Sequence, residues 1–290
     1  MSVVEIPKQF KVAERISIQG RIDIYDWSIE DKVKPFISFR TIEKTWDGDL
    51  GYGYSFDYDG NFWFWIRVGS NHFKLYKLTL STNDVEEMVD WNTLTDASTI
   101  TNMIITSENK IYSLIKLNSL TGAYNRILVH CGDISNPTTP DTNDCIWSTI
   151  NFDPWVRLYD VFIDENDDIY GYAYGDDCFI KRTGISTYEI TQGFSTWYTP
   201  YYSIGGNVKV GSSIYSKGYD SFIKYKDLSN SSIAVDYLLN LPETLYLDTT
   251  RLCYNPVDGK IYIILEDNIF YGTPLYKEFL CLLYLNPLYL

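Results

Sequence analysis

Histidine is nearly missing from this chain: His72 and His130 are the only two in 290 residues. That scarcity limits every chemistry that uses imidazole. A Ser–His–Asp triad must draw on one of them, and no GxSxG elbow accompanies either. The HExxH zinc helix is absent. His72 stands in VGSNHFK, read as a hairpin loop, and His130 in a strand-like apolar run beside Cys131. Both read as structural histidines, and no catalytic residue is assigned.

Other absences exclude further classes. The five cysteines, at 131, 145, 178, 253 and 281, form no CxxC pair, so a zinc ribbon or thioredoxin-type site has no support. Cys131 and Cys145 flank GDISNPTTPDTND; a disulfide there is one option, and buried free thiols are the preferred reading. Lys and Arg number 24 against 38 Asp and Glu, a net charge of −14. No basic stripe is present, which argues against nucleic acid and against an anionic membrane surface. No apolar run reaches the roughly 18 residues of a spanning helix. FLCLLYLNPLYL is broken by Asn286 and Pro287 and reads as a strand. The N-terminal stretch has no secretory pattern, so no membrane insertion is expected and localisation is left open. GGNVKVGSS lacks phosphate-cradle spacing; its glycines read as a tight turn.

Aromatics are abundant instead: 26 Tyr, 14 Phe and 8 Trp. Such residues favour strands and contact surfaces. DYDGNFWFWI (57–66) sets a template of polar turn, apolar pair and strand. TSENKIYSLI, DENDDIYGYA and KVGSSIYSKG match it, as does NPVDGKIYII with one insertion and SIQGRIDIYD more loosely. The residue before the apolar pair falls at 21, 61, 110, 168, 213 and 260, so the intervals run 40, 49, 58, 45 and 47. The longest interval holds a loop insertion at about 132–146.

A second apolar element follows each anchor, including Ile37/Ile42, Leu75/Leu80, Ile180/Ile185, Ile223/Leu228 and Leu280/Leu285. STITNMIIT and WVRLYDVFI fill gaps less regularly. STNDVEEMVDW is read as one short helical turn.

Units of roughly 40–50 residues with about four strands are propeller blades. The expected fold is all-β: one β-propeller domain over 1–290, six-bladed, with four-stranded antiparallel blades. VVEIPKQF, residues 3–10, is expected to complete the last blade. A β-sandwich with a smaller β domain is the alternative. DYDGNFWFWI…LYKLTLSTN and DENDDIYGYA…IKRTGIST resemble blades of six-bladed NHL and SMP-30-like propellers, over roughly residues 15–290. The resemblance implies a fold and no close family. It also implies that an axial metal held by Glu, Asp and Asn is conceivable, at no fixed positions.

The candidate sites follow from clusters. Asp164, Asn166 and Asp168 are the better of two calcium-like patterns, although Ile169 stands where an EF-hand needs Gly; a β-turn is the preferred reading. Asp57, Asp59 and Asn61 repeat the pattern with Phe62 in the Gly position. No cofactor is expected, with Ca²⁺ the weak alternative. Tyr52, Tyr54, Tyr172, Tyr174, Trp197, Tyr201 and Tyr202 are candidate contacts for a protein partner or a glycan. The expected function is a non-catalytic structural or protein-interaction module in a larger assembly, with a virion or tail as the specific context. The alternatives are a metal-dependent propeller hydrolase acting on a lactone, ester or sugar at the axis, and a carbohydrate-binding attachment propeller.

Overall fold

The computed structural model describes residues 37–43, 53–69, 71–92, 99–116, 126–149, 157–174, 178–193, 207–217, 222–227, 236–240, 251–266 and 279–285. Strand β1 is Ile37–Glu43. Blade I holds β2 (Tyr54–Phe56), β3 (Phe62–Gly69), β4 (His72–Thr79) and β5 (Asp84–Asn92). Blade II holds β6 (Thr99–Ile105), β7 (Lys110–Lys116), β8 (Arg126–Asp133), β9 (Asn136–Pro137) and β10 (Cys145–Ser148). Blade III holds β11 (Arg157–Ile163), β12 (Ile169–Tyr174), β13 (Cys178–Gly184) and β14 (Thr187–Gly193). Blade IV holds β15 (Asn207–Val210), β16 (Ser213–Lys217), β17 (Phe222–Asp227) and β18 (Asp236–Asn240). Blade V holds β19 (Arg251–Asn255), β20 (Lys260–Glu266) and β21 (Phe279–Leu285), with β1 on its edge. All pairings are antiparallel, and the inner strands neighbour one another in the circuit β2, β6, β11, β15, β19 and back to β2. The all-β propeller of four-stranded blades is therefore present. The circuit among the described residues has five blades; the unit anchored at 21 lies outside them.

The repeated turn has one physical cause. The inner strands of blades I, II and III each end in a β-turn closed by a backbone bond: Gly60 N to Asp57 O, Asn109 N to Thr106 O, and Asp167 N to Asp164 O. The turn's last residue then takes a left-handed conformation, with φ of 81°, 63° and 62° at Gly60, Asn109 and Asp167. Gly, Asn and Asp are the residues that tolerate it. Asp57 reinforces the turn from inside, with Oδ1 accepting the Asn61 N–H at 2.8 Å and Oδ2 accepting Trp63 Nε1 at 2.8 Å. Asp164 does the same two blades on, accepting from Asn166 N, Asp168 N and the Tyr170 hydroxyl.

FWFWI is apolar throughout because both faces of β3 are covered. Phe62, Phe64 and Ile66 pack with Cys253 and Tyr262 of blade V. Trp63 and Trp65 point the other way, into a cluster with Ile100, Met103, Ile105 and Val129 of blade II. Strands sandwiched between neighbouring sheets carry such runs. Gly53 lies where blade I comes close to blade II: its φ is 135°, and a Cβ there meets the Asn102 carbonyl carbon at 2.9 Å.

Three expectations change. Ile37/Ile42 and Leu280/Leu285 are not equivalent elements of separate units; they are cross-strand partners, Ile37 opposite Leu285 and Ile42 opposite Leu280. The strand that completes blade V is thus β1, while residues 3–10 lie outside the described residues. In STNDVEEMVDW the first three residues are a turn and the rest, from Asp84, is strand β5 rather than helix. Its helix-like spacing of Val85 and Val89 comes from a bulge, where Leu75 and Tyr76 are consecutive but pair with Val89 and Glu87. The extra residue, Met88, reverses the parity, so Val85 and Val89 join clusters on opposite faces. STITNMIIT contains the inner strand β6 and WVRLYDVFI the inner strand β11.

Candidate functional site, the axial cavity

The five inner strands enclose a cavity of about 300 Å³. Its apolar lining includes Met103, Ile105, Phe162, Ile163, Val208 and Leu252. Polar groups gather at two ends.

At the buried end Asp160, 1% exposed, is clamped by two carboxamides. Asn102 Nδ2 donates to its Oδ1, and Asn207 donates to Oδ2 through Nδ2 at 2.7 Å and its backbone N–H at 3.1 Å. The clamp fixes both amide orientations, since the NH₂ groups must face the carboxylate. Asn102 Oδ1 accepts the Met103 N–H at 2.6 Å. Asn207 Oδ1 is buried and has no partner.

At the turn end, loops of blades I, II and III are tied together. Asp167 accepts from the Ser107 backbone N–H at 2.9 Å and from the Ser107 hydroxyl, and the Tyr58 hydroxyl lies 3.5 Å from it. Burial, and then the Asp167 carboxylate, push the Tyr58 phenol up to about 12. Lys209 Nζ donates to Asp164 Oδ2 at 2.9 Å and sits 5.2 Å from the centre of the Tyr170 ring. Burial alone pushes the Asp164 carboxyl up, but Lys209 and the N–H groups of Asn166 and Asp168 outweigh it and hold the group below its ordinary value. Glu165 is exposed on the cavity rim, beside Tyr254.

In both calcium-like patterns the leading aspartate bonds to the N–H groups of its own turn. Both Asp164 oxygens already accept N–H or O–H donors, and Asp168 Oδ2 takes Lys181 Nζ at 2.6 Å. A metal needs those lone pairs. Among the described residues no group of three His, Cys, Asp or Glu is placed to hold a metal ion. The histidines are tied to acids: His72, on β4 rather than in a loop, contacts Asp90 at 2.6 Å, and His130 Nδ1 contacts Asp144 at 3.1 Å. Cys131 and Cys145 are free thiols. Burial pushes the Cys131 thiol up to about 12.

Two candidate contact tyrosines belong to the interior. Tyr54 is 5% exposed and stacks on Phe62 at 5.7 Å; Tyr172 is 4% exposed and meets Phe179 edge-on. Their place on strands covered on both faces withdraws them from an outer surface. Tyr54 does line the cavity. The Tyr174 side chain, with Tyr52, Trp197, Tyr201 and Tyr202, lies outside the described residues. Asn102, Asp160 and Asn207 were not anticipated. Their signal is a carboxamide or carboxylate directly before an apolar run, as in NMII and DVFI.

No protein-family model matches the chain, and no curated protein matches it. Solved structures similar to it are six-bladed propellers at low identity. A streptogramin B lyase is 10% identical, with 85% of this chain and 98% of that chain covered and a TM-score of 0.49. A virginiamycin B lyase from Staphylococcus aureus is 10% identical over 86% of this chain and 100% of that chain, with a TM-score of 0.45. A calcium-binding protein, regucalcin, from Agrobacterium tumefaciens is 13% identical over 82% of this chain and 91% of that chain, with a TM-score of 0.44. The likeness is one of fold; the propeller assignment rests on the strand order and the circuit of inner strands.

Proposed function

We propose that this propeller is a non-catalytic interaction module, a rigid part of a larger assembly. The observation that carries the reading is how three carboxylates at the axial cavity and its turn end, Asp160, Asp164 and Asp167, are used. Asp160 joins blades II, III and IV, Asp164 joins III to IV, and Asp167 joins II to III. A general base or nucleophile needs a lone pair open to substrate. These acids spend theirs on blade-to-blade bonds, which stiffen a ring. A virion or tail as the assembly rests on the tyrosine-rich sequence alone.

The test is co-fractionation of the full chain from its source, with cross-linking mass spectrometry. A constant molar ratio to defined neighbours supports the module. Divalent-metal-dependent turnover of a lactone, ester or glycoside, lost in an Asp160→Asn variant, would replace it with the hydrolase.

A further inference from the structure

We infer that the axial cavity holds a neutral molecule with an amide edge, a lactam or a primary carboxamide, seated on Asn207 at the buried end. This site is independent of the assembly role. Asn102, Asp160 and Asn207 all line the cavity, so the clamp is part of its wall. Two of the three are engaged. Asn102 Nδ2 donates to Asp160 and to the Val161 carbonyl, and its Oδ1 takes the Met103 N–H. Asp160 accepts three N–H donors. Asn207 differs. It is 6% exposed, its Oδ1 has no partner, and among the described residues its side-chain amide makes one bond, to Asp160. A carboxamide offers one carbonyl and two N–H donors, so Asn207 keeps the carbonyl and one N–H unspent. Exchanging its O and N would turn an oxygen onto the Asp160 carboxylate, so the orientation is fixed. A buried acceptor without a partner is costly, and it marks a place where a donor is missing.

The unspent groups of Asn207 define the ligand's edge. A carbonyl beside an N–H is matched by an N–H beside a carbonyl, which is what a lactam or carboxamide presents. Charged ligands fit less well. An anion meets Asp160, Asp164 and Glu165 in the wall, and no Lys or Arg is among the described lining residues. The nearby cation, Lys209, is already engaged by Asp164. A cation carried to the buried end sheds its water. Asp160 there is already held by its three N–H donors. The rest of the lining is mixed, with Tyr54, Phe56, Met103 and Phe162 beside Ser55 and Tyr58. Aromatic faces and a thioether suit a flat ring. A volume of about 300 Å³ lies at the small end of ligand cavities, which suits a compact heterocycle.

The test is equilibrium titration of the full chain at neutral pH with four probes of one shape: 2-quinolone, 1-methyl-2-quinolone, quinoline-2-carboxylate and 1-methylquinolinium. 2-Quinolone is expected to bind. Its N-methyl derivative should bind at least about tenfold more weakly, because it leaves the Asn207 carbonyl without a donor. The anion and the cation should show no measurable binding. Asn207→Ala removes the amide but keeps the backbone N–H bond to Asp160, and a folded Asn207→Ala protein should bind both quinolones alike. Glu165 is exposed on the rim, so Glu165→Gln should fold normally and keep the native preference. If Asn207→Ala does not fold, the two quinolones on the native chain still decide. No binding of 2-quinolone overturns the inference, since a water molecule then suffices for Asn207. Equal binding of the two quinolones, tighter binding of either ion, or a native preference in folded Asn207→Ala also overturns it. Loss of the preference in Glu165→Gln does so too, because the ligand then sits at the rim.

Discussion

Asn207 on β15 donates its side-chain amide to Asp160 on β11 at 2.7 Å, across the boundary between blades III and IV. With Asn102 on the other oxygen, one carboxylate joins three blades. Asp160→Ala leaves both carboxamides facing an empty space they cannot reorient to fill. The expected loss is about 3 kcal/mol, because hydrogen bonds to a charged group are the stronger kind. Urea unfolding of the variant measures it. A native midpoint would mean that the clamp is not held in solution.

Trp63 and Asp57 form a unit of the same kind within blade I. The indole is fully buried, packs against blade II, and donates to Asp57 at 2.8 Å. Trp63→Ala is expected to cost roughly 3–5 kcal/mol, mostly cavity. Asp57→Ala is expected to cost about 2 kcal/mol through the orphaned indole N–H and the weakened turn. The double variant should cost less than the sum, since both remove the same bond. Full additivity in denaturant melts would show that the bond contributes nothing.

Gly53 supplies a backbone test. Its φ of 135° is open to glycine, and an added methyl meets the β6 backbone at 2.9 Å. Gly53→Ala should therefore destabilise by about 2 kcal/mol or more, combining strain with a forced separation of blades I and II. A change within about 0.5 kcal/mol in urea melts would place the two strands further apart than described.

The turns were legible in the sequence because they obey local rules. Asp57, Thr106 and Asp164 recur at fixed distances from an apolar pair, and the left-handed residue after them must be Gly, Asn or Asp. Blade packing was legible too, since FWFWI has no polar face to give to solvent. The edge of blade V was not. Ile37–Glu43 and Phe279–Leu285 carry similar patterns, and pattern alone cannot say whether two strands are counterparts or partners. The polar clamp was missed for a related reason. Asn102, Asp160 and Asn207 are far apart in the chain, and nothing in TITNMII, RLYDVFI or NVKV sets them apart as partners from the other polar residues of those strands. Only the circuit of blades brings them together. The bulge at Met88 hid a strand behind helical spacing.

The Asp164–Lys209 pair predicts a pH dependence. The folded-state value of Asp164 lies below its unfolded one. Its contribution is fully present above the unfolded value of about 3.9 and is lost as pH falls through the lower folded value. Asp164→Asn should thus be less stable than the native chain at neutral pH. The gap should narrow as pH drops through that window. Urea midpoints collected down the acid limb read it directly. Parallel acid limbs for the two proteins would show that the pair leaves no linkage.

Thiol accessibility gives an independent check on the blade interior. Burial pushes both Cys131 and Cys253 up to about 12, and their sulfurs sit in the clusters on either side of blade I. The thiolate is the reactive form, so neither should alkylate at neutral pH while the fold persists. Cys145 is only half-buried at the blade II edge and should react first among the three. Site-resolved mass spectrometry after iodoacetamide, with and without urea, separates them. Urea should release Cys131 and Cys253 together with global unfolding, because each is covered by a different neighbouring blade. Labelling of Cys253 alone below the main transition would show that blade V detaches first, at the boundary where β19 meets β2.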